Sequence, residues 1–247
     1  MATDAILALD GVVAGYGRTT ILNETTFAVC GGAITTIVGP NGAGKSTVFK
    51  AVFGLLPVRS GHIRFEGGDI TDAEPRALLD SGICYVPQGR NIFPELSVFH
   101  NLELGGVAAG RDSDVRAGIE AALDRFPALR RKAAAQASTL SGGEQKLLEI
   151  ARGLLLKPKL ILIDEPSIGL SPIMAKEILN ILRALRGSGV TVLLVEQNVR
   201  SALAISDFAI VMEQGRVRIQ DTARAILENP QIGHLFLGGT IEGDNGV

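Results

Sequence analysis

The sequence predicts an α/β protein with a mostly parallel main sheet, smaller antiparallel β pieces and an inserted all-helical segment. Five short runs of apolar, largely β-branched residues lie at 33–38, 82–86, 160–163, 190–195 and 208–212. In the segments between them, the apolar residues recur with helical spacing. Short strands that are apolar on both faces and alternate with helices are typical of a buried parallel sheet.

Two further patterns complete the predicted fold class. Stretches of alternating apolar and polar residues favour strands with one exposed face, and we assign them to antiparallel pieces beside the main sheet; they lie at 6–13, 26–30, 62–65 and 216–219. Between 94 and 156 Ala, Leu, Arg and Glu dominate, as in DVRAGIEAALDRF, which indicates helices. We therefore predict one domain over 1–247, whose α/β core (1–93 and 157–240) is interrupted by a helical subdomain (94–156).

Composition narrows the class of protein. A chain of 247 residues buries about 70% of its unfolded surface, so it needs no stabilising metal or disulfide. A net charge of −2 gives no basic surface for nucleic acid, so we expect no nucleic-acid partner. Cys30 and Cys84 lack CxxC spacing and are predicted to be reduced, which favours the cytoplasm.

The N-terminus has no signal-peptide pattern, and the longest uncharged stretch, 25–44, is rich in glycine, so neither is expected to enter a membrane. A role at a membrane would therefore need separate chains that span it.

A glycine-rich loop follows the first apolar run. GPNGAGKS matches the G-x-x-x-x-G-K-[ST] pattern between the strand-like AITTIV and the helix-like TVFKAVFGLL. Converging backbone N–H groups and the helix N-terminus bind phosphate, Lys45 reaches the β- and γ-phosphates, and Ser46 ligates Mg²⁺. The predicted nucleotide-binding residues here are Gly39, Pro40, Asn41, Gly42, Ala43, Gly44, Lys45, Ser46 and Thr47.

A second candidate site lies at the end of the run 160–163, where Asp164 and Glu165 follow. Ligands in this fold class bind at the carboxyl ends of the strands. Because successive strand side chains diverge, we expect Asp164 to reach Mg²⁺ and Glu165 to orient a water that attacks the γ-phosphate. A solvated turn would account for an isolated acidic pair, but the phosphate loop on the same sheet favours the catalytic interpretation.

The stretch LSGGEQ, at 140–145, heads an amphipathic helix. Ser141 and Glu144 have capping-box spacing, which by itself would only start the helix. Ser141 with the free N–H groups of Gly142 and Gly143 also forms a second anion site. A chain with one phosphate loop has no evident use for it.

LSGGEQ, shortly before the strand that ends in Asp164, resembles the signature of ATP-binding cassette (ABC) ATPases. The resemblance covers nearly the whole chain and implies a P-loop NTPase (RecA-like) core that uses ATP and Mg²⁺. It also implies that two cassettes, identical or different, pair head to tail, so that Ser141, Gly142 and Gly143 serve the nucleotide of the partner.

Two more roles follow from the resemblance. Tyr16, in AGYGRTT, matches the aromatic residue that stacks on adenine; it could instead cap the core. Gln88, in YVPQGRNIF, matches the glutamine that contacts Mg²⁺ and the attacking water, although a glutamine before glycine is otherwise ordinary in a turn. The implied metal ligands are Ser46, Gln88 and Asp164, and the implied catalytic residues are Glu165, Gln88 and Gln197.

The chain departs from many ABC ATPases at two positions. Ser171 stands where they have an aspartate, and Gln197, in VEQNVR, stands where they have a histidine. The three histidines, His62, His100 and His234, lie elsewhere and are predicted to be surface or packing residues. Gln197 can donate a hydrogen bond to phosphate but carries no charge; the alternative is that it caps the following helix.

GYG, PQGRNIFPELSVFHNL, DEPSIGLSP and VEQNV together resemble the smaller ATPase subunit of importers for branched-chain amino acids, with urea or short amides as the second choice. The implied partners are a second ATPase subunit, two transmembrane permease subunits and, indirectly, a periplasmic or lipid-anchored solute-binding protein. The implied location is the cytoplasmic face of the membrane.

We expect the segment 88–104, with Phe93, Leu96 and Phe99, to line a groove for the membrane subunit; these residues could instead be core. Two other functions remain possible at this point: a non-transport ABC ATPase, disfavoured because the chain has no long coiled coil or second cassette, and a nucleotide switch with little hydrolysis.

Overall fold

The computed structural model describes residues 5–107 and 112–229, without the side chains of 112–114. Within these ranges the strands are β1 (Ala5–Tyr16), β2 (Thr19–Cys30), β3 (Ile34–Val38), β4 (Val58–Phe65), β5 (Gly68–Asp69), β6 (Ile83–Val86), β7 (Leu160–Asp164), β8 (Thr191–Val195), β9 (Phe208–Glu213) and β10 (Arg216–Thr222). The α-helices are α1 (Lys45–Val52), α2 (Pro75–Ser81), α3 (Val98–Val107), α4 (Asp112–Arg125), α5 (Pro127–Arg130), α6 (Gly142–Leu154), α7 (Pro172–Gly187), α8 (Val199–Leu203) and α9 (Ala223–Glu228).

The main sheet has the strand order β10-β9-β3-β8-β7-β6. The five apolar runs form its parallel strands β3, β6, β7, β8 and β9, as predicted. Strand β10 turns back through Gln214 and Gly215, both with positive φ, and pairs antiparallel with β9. The fourth alternating stretch is therefore an edge of the main sheet.

The other alternating stretches form a separate antiparallel sheet with the order β2-β1-β4-β5. Alternate residues of the main-sheet strands point to opposite faces. Leu160 and Leu162 pack towards the antiparallel sheet and α1, whereas Ile161 and Ile163 pack towards the helical insertion and α7. The main sheet is thus buried on both faces, which explains why its strands are uniformly apolar.

The segment between β6 and β7 is helical, as predicted, and comprises α3 to α6 with a 3-10 turn at Ala137–Thr139. One isolated bridge, between Ser97 and Gln136, is its only strand-like pairing in the described part. Helix α6 packs closely on β6, since a Cβ on Gly153 would lie 2.9 Å from the Cys84 sulfur. The predicted subdomain boundaries at 93/94 and 156/157 fall in the connections on either side and remain a prediction. Among the described helices, none is long and apolar enough to cross a membrane.

Candidate active site

The loops that follow four parallel strands meet at one edge of the main sheet. The glycine-rich loop follows β3, Gln88 follows β6, Glu165 follows β7 and Gln197 follows β8. Because β7 lies between β6 and β8, Glu165 emerges between the two glutamines. This edge is where ligands bind in open α/β sheets.

The glycine-rich loop gives α1 an open N-terminus. Gly44 is the N-cap residue in the left-handed region, with φ 98°, and no side chain caps the helix. The first-turn N–H groups, which have no partner within a helix, are therefore available to an anion. The loop is held from behind, because Gly215 N–H donates to the Ala43 carbonyl at 3.0 Å.

Lys45 and Ser46 point in different directions from the start of α1. The Lys45 ammonium is buried and donates to the carbonyls of Gly39 at 2.9 Å and Pro40 at 3.0 Å. The Ser46 hydroxyl donates to Asp164 Oδ1 at 3.1 Å, and the Tyr85 hydroxyl donates to Asp164 Oδ2 at 3.4 Å. The loop and the acidic strand end therefore form one site, as the sequence predicts.

Glu165 accepts two amide hydrogen bonds on the same oxygen. Gln88 Nε2 donates to Oε2 at 2.8 Å and Gln197 Nε2 donates to Oε2 at 2.9 Å. The Glu165 backbone has φ 46°, in the left-handed region, and its N–H continues the sheet by donating to the Val195 carbonyl at 2.8 Å. Strained backbone of this kind persists where surrounding structure fixes it, commonly at functional sites.

The charges in this site perturb one another. Burial raises the pKa of Asp164, against the hydrogen bond from Ser46. Burial, with the neighbouring Asp164 charge second, raises the pKa of Glu165, while the Gln197 hydrogen bond opposes this. Burial also lowers the pKa of Lys45, against the attraction of the two carboxylates. Perturbed acids and an ammonium in one cleft are typical of a catalytic site.

The LSGGEQ stretch forms a second, separate N-terminus. Ser141 is the N-cap of α6, and its hydroxyl and N–H bond reciprocally with Glu144, as the capping box predicts. Gly143 packs against α7 so closely that a Cβ there would lie 2.4 Å from Met174 Cε. Ser141 itself is exposed, so this helix start is accessible from outside the chain.

Comparison with known proteins identifies the family. The family model described as ABC transporter matches residues 22–168, more than half of the chain. The chain belongs to the ABC transporter family. It is one of the family's ATP-binding and ATP-hydrolysing cassettes, which confirms the resemblance and the predicted fold class.

Similar cassettes extend over nearly the whole chain. It is 42% identical, over 95% of its length and 100% of the relative's, to the high-affinity branched-chain amino acid transport ATP-binding protein BraG of Pseudomonas aeruginosa. It is 41% identical, over 91% of its length and 95% of the relative's, to the probable branched-chain amino acid transport ATP-binding protein LivF of Archaeoglobus fulgidus. It is 35% identical, over 95% of its length and 98% of the relative's, to the lipopolysaccharide export system ATP-binding protein LptB of Escherichia coli.

Solved structures agree with the fold. The ADP conformation of an ATP-binding cassette of an ABC transporter superposes with a TM-score of 0.85 at 30% identity, covering 96% of this chain and 100% of that one. A dimeric structure of another cassette, in a post-hydrolysis state with ADP and Pi, superposes with a TM-score of 0.77 at 25% identity, covering 88% and 99%.

The structure also locates the other residues that the sequence singles out. Tyr16, at the end of β1, is 46% exposed, with Lys50 Nζ 5.5 Å from its ring centroid, so it does not cap the core. Thr47 is buried in α1, and Asn41 and Gly42 are exposed in the loop. Ser171 is the N-cap of α7.

The structure separates the two interpretations of Gln197. Asn198, not Gln197, caps α8, because its side chain accepts from the Ser201 N–H at 3.1 Å. His62 and His100 are exposed and lie outside the strand-end cluster, and His234 lies outside the described residues. Cys30 and Cys84 are free thiols.

The sequence analysis assigns no role to two groups near the site, although it places Glu196 at the same strand end as Gln197. Glu196, which is buried, accepts from Ser167 N–H at 2.9 Å, Ser167 Oγ at 2.8 Å and Gln197 N–H at 3.1 Å, and so fixes the turn after Glu165. Lys146 and Glu149 of α6 form a buried ion pair against the Gln88 loop. The only signal for Glu196 in the sequence is its place directly after an apolar run, and Lys146 and Glu149 have the spacing of an ordinary surface pair on a helix.

Proposed function

We propose that this cassette is the ATP-hydrolysing subunit of an importer for branched-chain amino acids. The choice of branched-chain amino acids as the transported solute rests on the 42% identity with BraG over 95% of the chain, together with the similar identity with LivF. The cassette itself has no contact with the cargo in this proposal. Its part is to hydrolyse ATP and transmit the resulting motion.

The contacts of Glu165 support a role as the residue that orients the attacking water. Both glutamines donate to Oε2, which leaves Oε1 to accept a hydrogen bond from water. The carboxylate then holds that water in line with the γ-phosphorus, Lys45 stabilises charge on the β- and γ-phosphates, and Gln197 senses the γ-phosphate by neutral hydrogen bonding. Tyr16 offers an exposed ring for stacking on adenine.

The site residues suit Mg²⁺. The Ser46 hydroxyl oxygen and Asp164 Oδ1 lie 3.1 Å apart, and Gln88 keeps its amide oxygen free while its nitrogen bonds Glu165. Hard oxygen donors in small number, completed by phosphate oxygens, are what Mg²⁺ prefers. Ser46, Asp164 and Gln88 would hold the ion, which neutralises phosphate charge when bound.

The signature end of α6 is proposed to bind the nucleotide of a second cassette. Ser141, Gly142 and Gly143 then supply N–H and hydroxyl donors to a γ-phosphate held by the partner's loop, in a head-to-tail dimer. The similarity to a dimeric cassette supports this arrangement. The other proposed partners are two transmembrane permease subunits and, indirectly, a solute-binding protein, which would put the cassette at the cytoplasmic face of the membrane.

A groove of about 790 Å³ beside the Gln88 loop is the proposed contact for the permease. Phe93 lines it together with Leu104; its ring is 49% exposed and its centroid lies 5.6 Å from Arg152 Cζ. Leu96 and Phe99 instead line a different cavity, of about 680 Å³, between α3 and α4. Of the three residues predicted to line the groove, Phe93 alone does so.

Reconstitution tests the proposal. The cassette is reconstituted in proteoliposomes with candidate permease, second ATPase and solute-binding protein subunits encoded near its gene, and assayed for ATP-dependent uptake of radiolabelled leucine, urea and short amides. Leucine uptake that stops on Phe93→Ala, while basal ATP hydrolysis continues, supports the proposed cargo and the docking surface. Uptake of urea alone, or no uptake of leucine while ATP is hydrolysed vigorously, would refute branched-chain amino acids as the cargo. The absence of hydrolysis would favour a nucleotide switch.

A further inference from the structure

The signature helix α6 carries a buried ion pair one to two turns after Ser141. Lys146 Nζ and Glu149 Oε2 lie 2.5 Å apart, and their side chains are only 8% and 2% exposed. Desolvating two charges is costly, and an apolar pair of similar volume usually gives equal or greater stability. Stability alone therefore does not account for charged residues at these positions.

Both charges bind the backbone of the Gln88 loop. Lys146 Nζ donates to the Gly89 carbonyl at 2.8 Å and to the Pro87 carbonyl at 3.5 Å. Glu149 Oε1 accepts from the Asn91 N–H at 2.5 Å. The contacts reach residues before and after Gln88, so they fix the course of the loop on both sides of it.

Two further contacts tighten the same loop. Arg152, one turn after Glu149, donates to the Asn91 carbonyl. The Asn91 side chain donates to the carbonyl of Gln88 at 3.4 Å and is within 3.5 Å of that of Pro87. Four hydrogen bonds made by three α6 side chains thus connect the helix to the loop. Gln88 Nε2 continues the connection to Glu165 Oε2 at 2.8 Å.

We propose that Lys146 and Glu149 are positioning residues that fix Gln88 to the signature helix, so that movement of α6 changes the contact between Gln88 and Glu165. Lys146 lies five residues after Ser141, about 7.5 Å along the helix axis, on the same rigid element. A displacement at the signature end therefore reaches the Gln88 loop directly. This inference rests on the proposed roles of Gln88, Glu165 and the signature end.

A double-mutant cycle tests this connection with the full-length cassette in its assembled transporter. Lys146→Met/Glu149→Leu is expected to lower kcat for ATP hydrolysis at least tenfold, with KM for ATP within about twofold and a single cooperative melting transition that shows the variant to be folded. In a Gln88→Ala background the same pair of substitutions is expected to change kcat less than twofold, because the residue through which they act is already gone. An equal loss in both backgrounds, or no loss in either, would overturn the proposal.

A matched control separates this effect from loss of charge. Lys159 and Glu66 form an ion pair of the same types, 2.6 Å apart, exposed and away from the strand-end cluster. Lys159→Met/Glu66→Leu should leave kcat unchanged. Should the buried double variant fail to fold, Lys146→Glu/Glu149→Lys replaces it, since it retains an ion pair but presents an ammonium to the Asn91 N–H, which needs an acceptor; wild-type kcat in that variant would overturn the proposal.

The proposed function is tested separately in the same assay. If the wild-type transporter hydrolyses no ATP, the proposed function fails together with the inference that rests on it. If the wild type is active and the cycle is additive, only the positioning role of Lys146 and Glu149 fails.

Discussion

Replacing Gln197 by alanine removes one of the two donors to Glu165. The lost bond, 2.9 Å from Nε2 to Oε2, is of the amide-to-carboxylate kind, which contributes about 1.5–3 kcal/mol when buried. Gln197 is exposed and Gln88 still donates to the same oxygen, so about 1–1.5 kcal/mol is expected. That corresponds to a fall in kcat of roughly fivefold to 13-fold.

The pH dependence gives a second readout of the same substitution. Burial and Asp164 raise the pKa of Glu165, and the Gln197 hydrogen bond opposes them, so its removal raises this pKa further. The ionised carboxylate of Glu165 accepts a stronger hydrogen bond from the attacking water than the protonated acid does, so activity is lost as pH falls through its pKa. The acid limb of the profile of kcat against pH should therefore move to higher pH in Gln197→Ala. The loss of kcat relative to wild type should accordingly be greater in mildly acidic buffer.

The assay is steady-state ATP hydrolysis by the assembled transporter across a pH series, with Asn198→Ala as the neighbouring control. Asn198 caps α8, so its replacement should lower the free energy of unfolding by about 1 kcal/mol and leave kcat unchanged. Wild-type kcat and an unmoved acid limb in Gln197→Ala would refute the role assigned to this side chain.

Four other substitutions test the site and the backbone that supports its glycine-rich loop. Glu165→Gln should lower kcat by two or more orders of magnitude while ATP binding, measured by titration, persists; near-normal turnover would mean that another group orients the water. Lys45→Ala should weaken ATP binding itself, and an unaltered dissociation constant would argue against its contact with the phosphates. Gly215→Ala should destabilise the fold by about 3 kcal/mol or more, since its φ is 75° and a Cβ would clash with the backbone carbonyl oxygen of Ile21. Gly17→Ala, with φ 55° but open space around it, should cost only about 1 kcal/mol, and equal melting temperatures for the two variants would contradict this reasoning.

The parallel core could be predicted because burial on both faces leaves a simple apolar signature. The strands β7 and β8 begin and end within one residue of the predicted runs, and the charged or polar residues that end them are those at the site. Helix α1 is shorter than its apolar pattern suggests, because Gly54 takes φ 67° and ends the segment. The apolar pattern reports which residues are buried, but the left-handed turn at Gly54 decides where the helix ends.

Contacts between distant segments could not be predicted from the sequence. The sequence placed Gln88 and Gln197 near the nucleotide by resemblance, but their convergence on one oxygen of Glu165 depends on the order β8-β7-β6, which local patterns do not encode. The ion pair of Lys146 with Glu149 looks like ordinary surface spacing on a helix. Its burial follows only from the packing of the Gln88 loop over α6.

The position of β3 in the main sheet has a consequence for synthesis of the protein. Its two neighbours are β8 and β9, so Ile34 pairs with Val192 and Thr35 with Phe208. As the chain leaves the ribosome, β3 and the glycine-rich loop have no partner strand in the main sheet until about 150 further residues have been synthesised. Non-local parallel pairing of this kind forms slowly, and unpaired strand edges invite aggregation. The late C-terminal strands thus complete the sheet that supports a nucleotide loop made early, and nascent chains halted before Phe208 would need protection by chaperones.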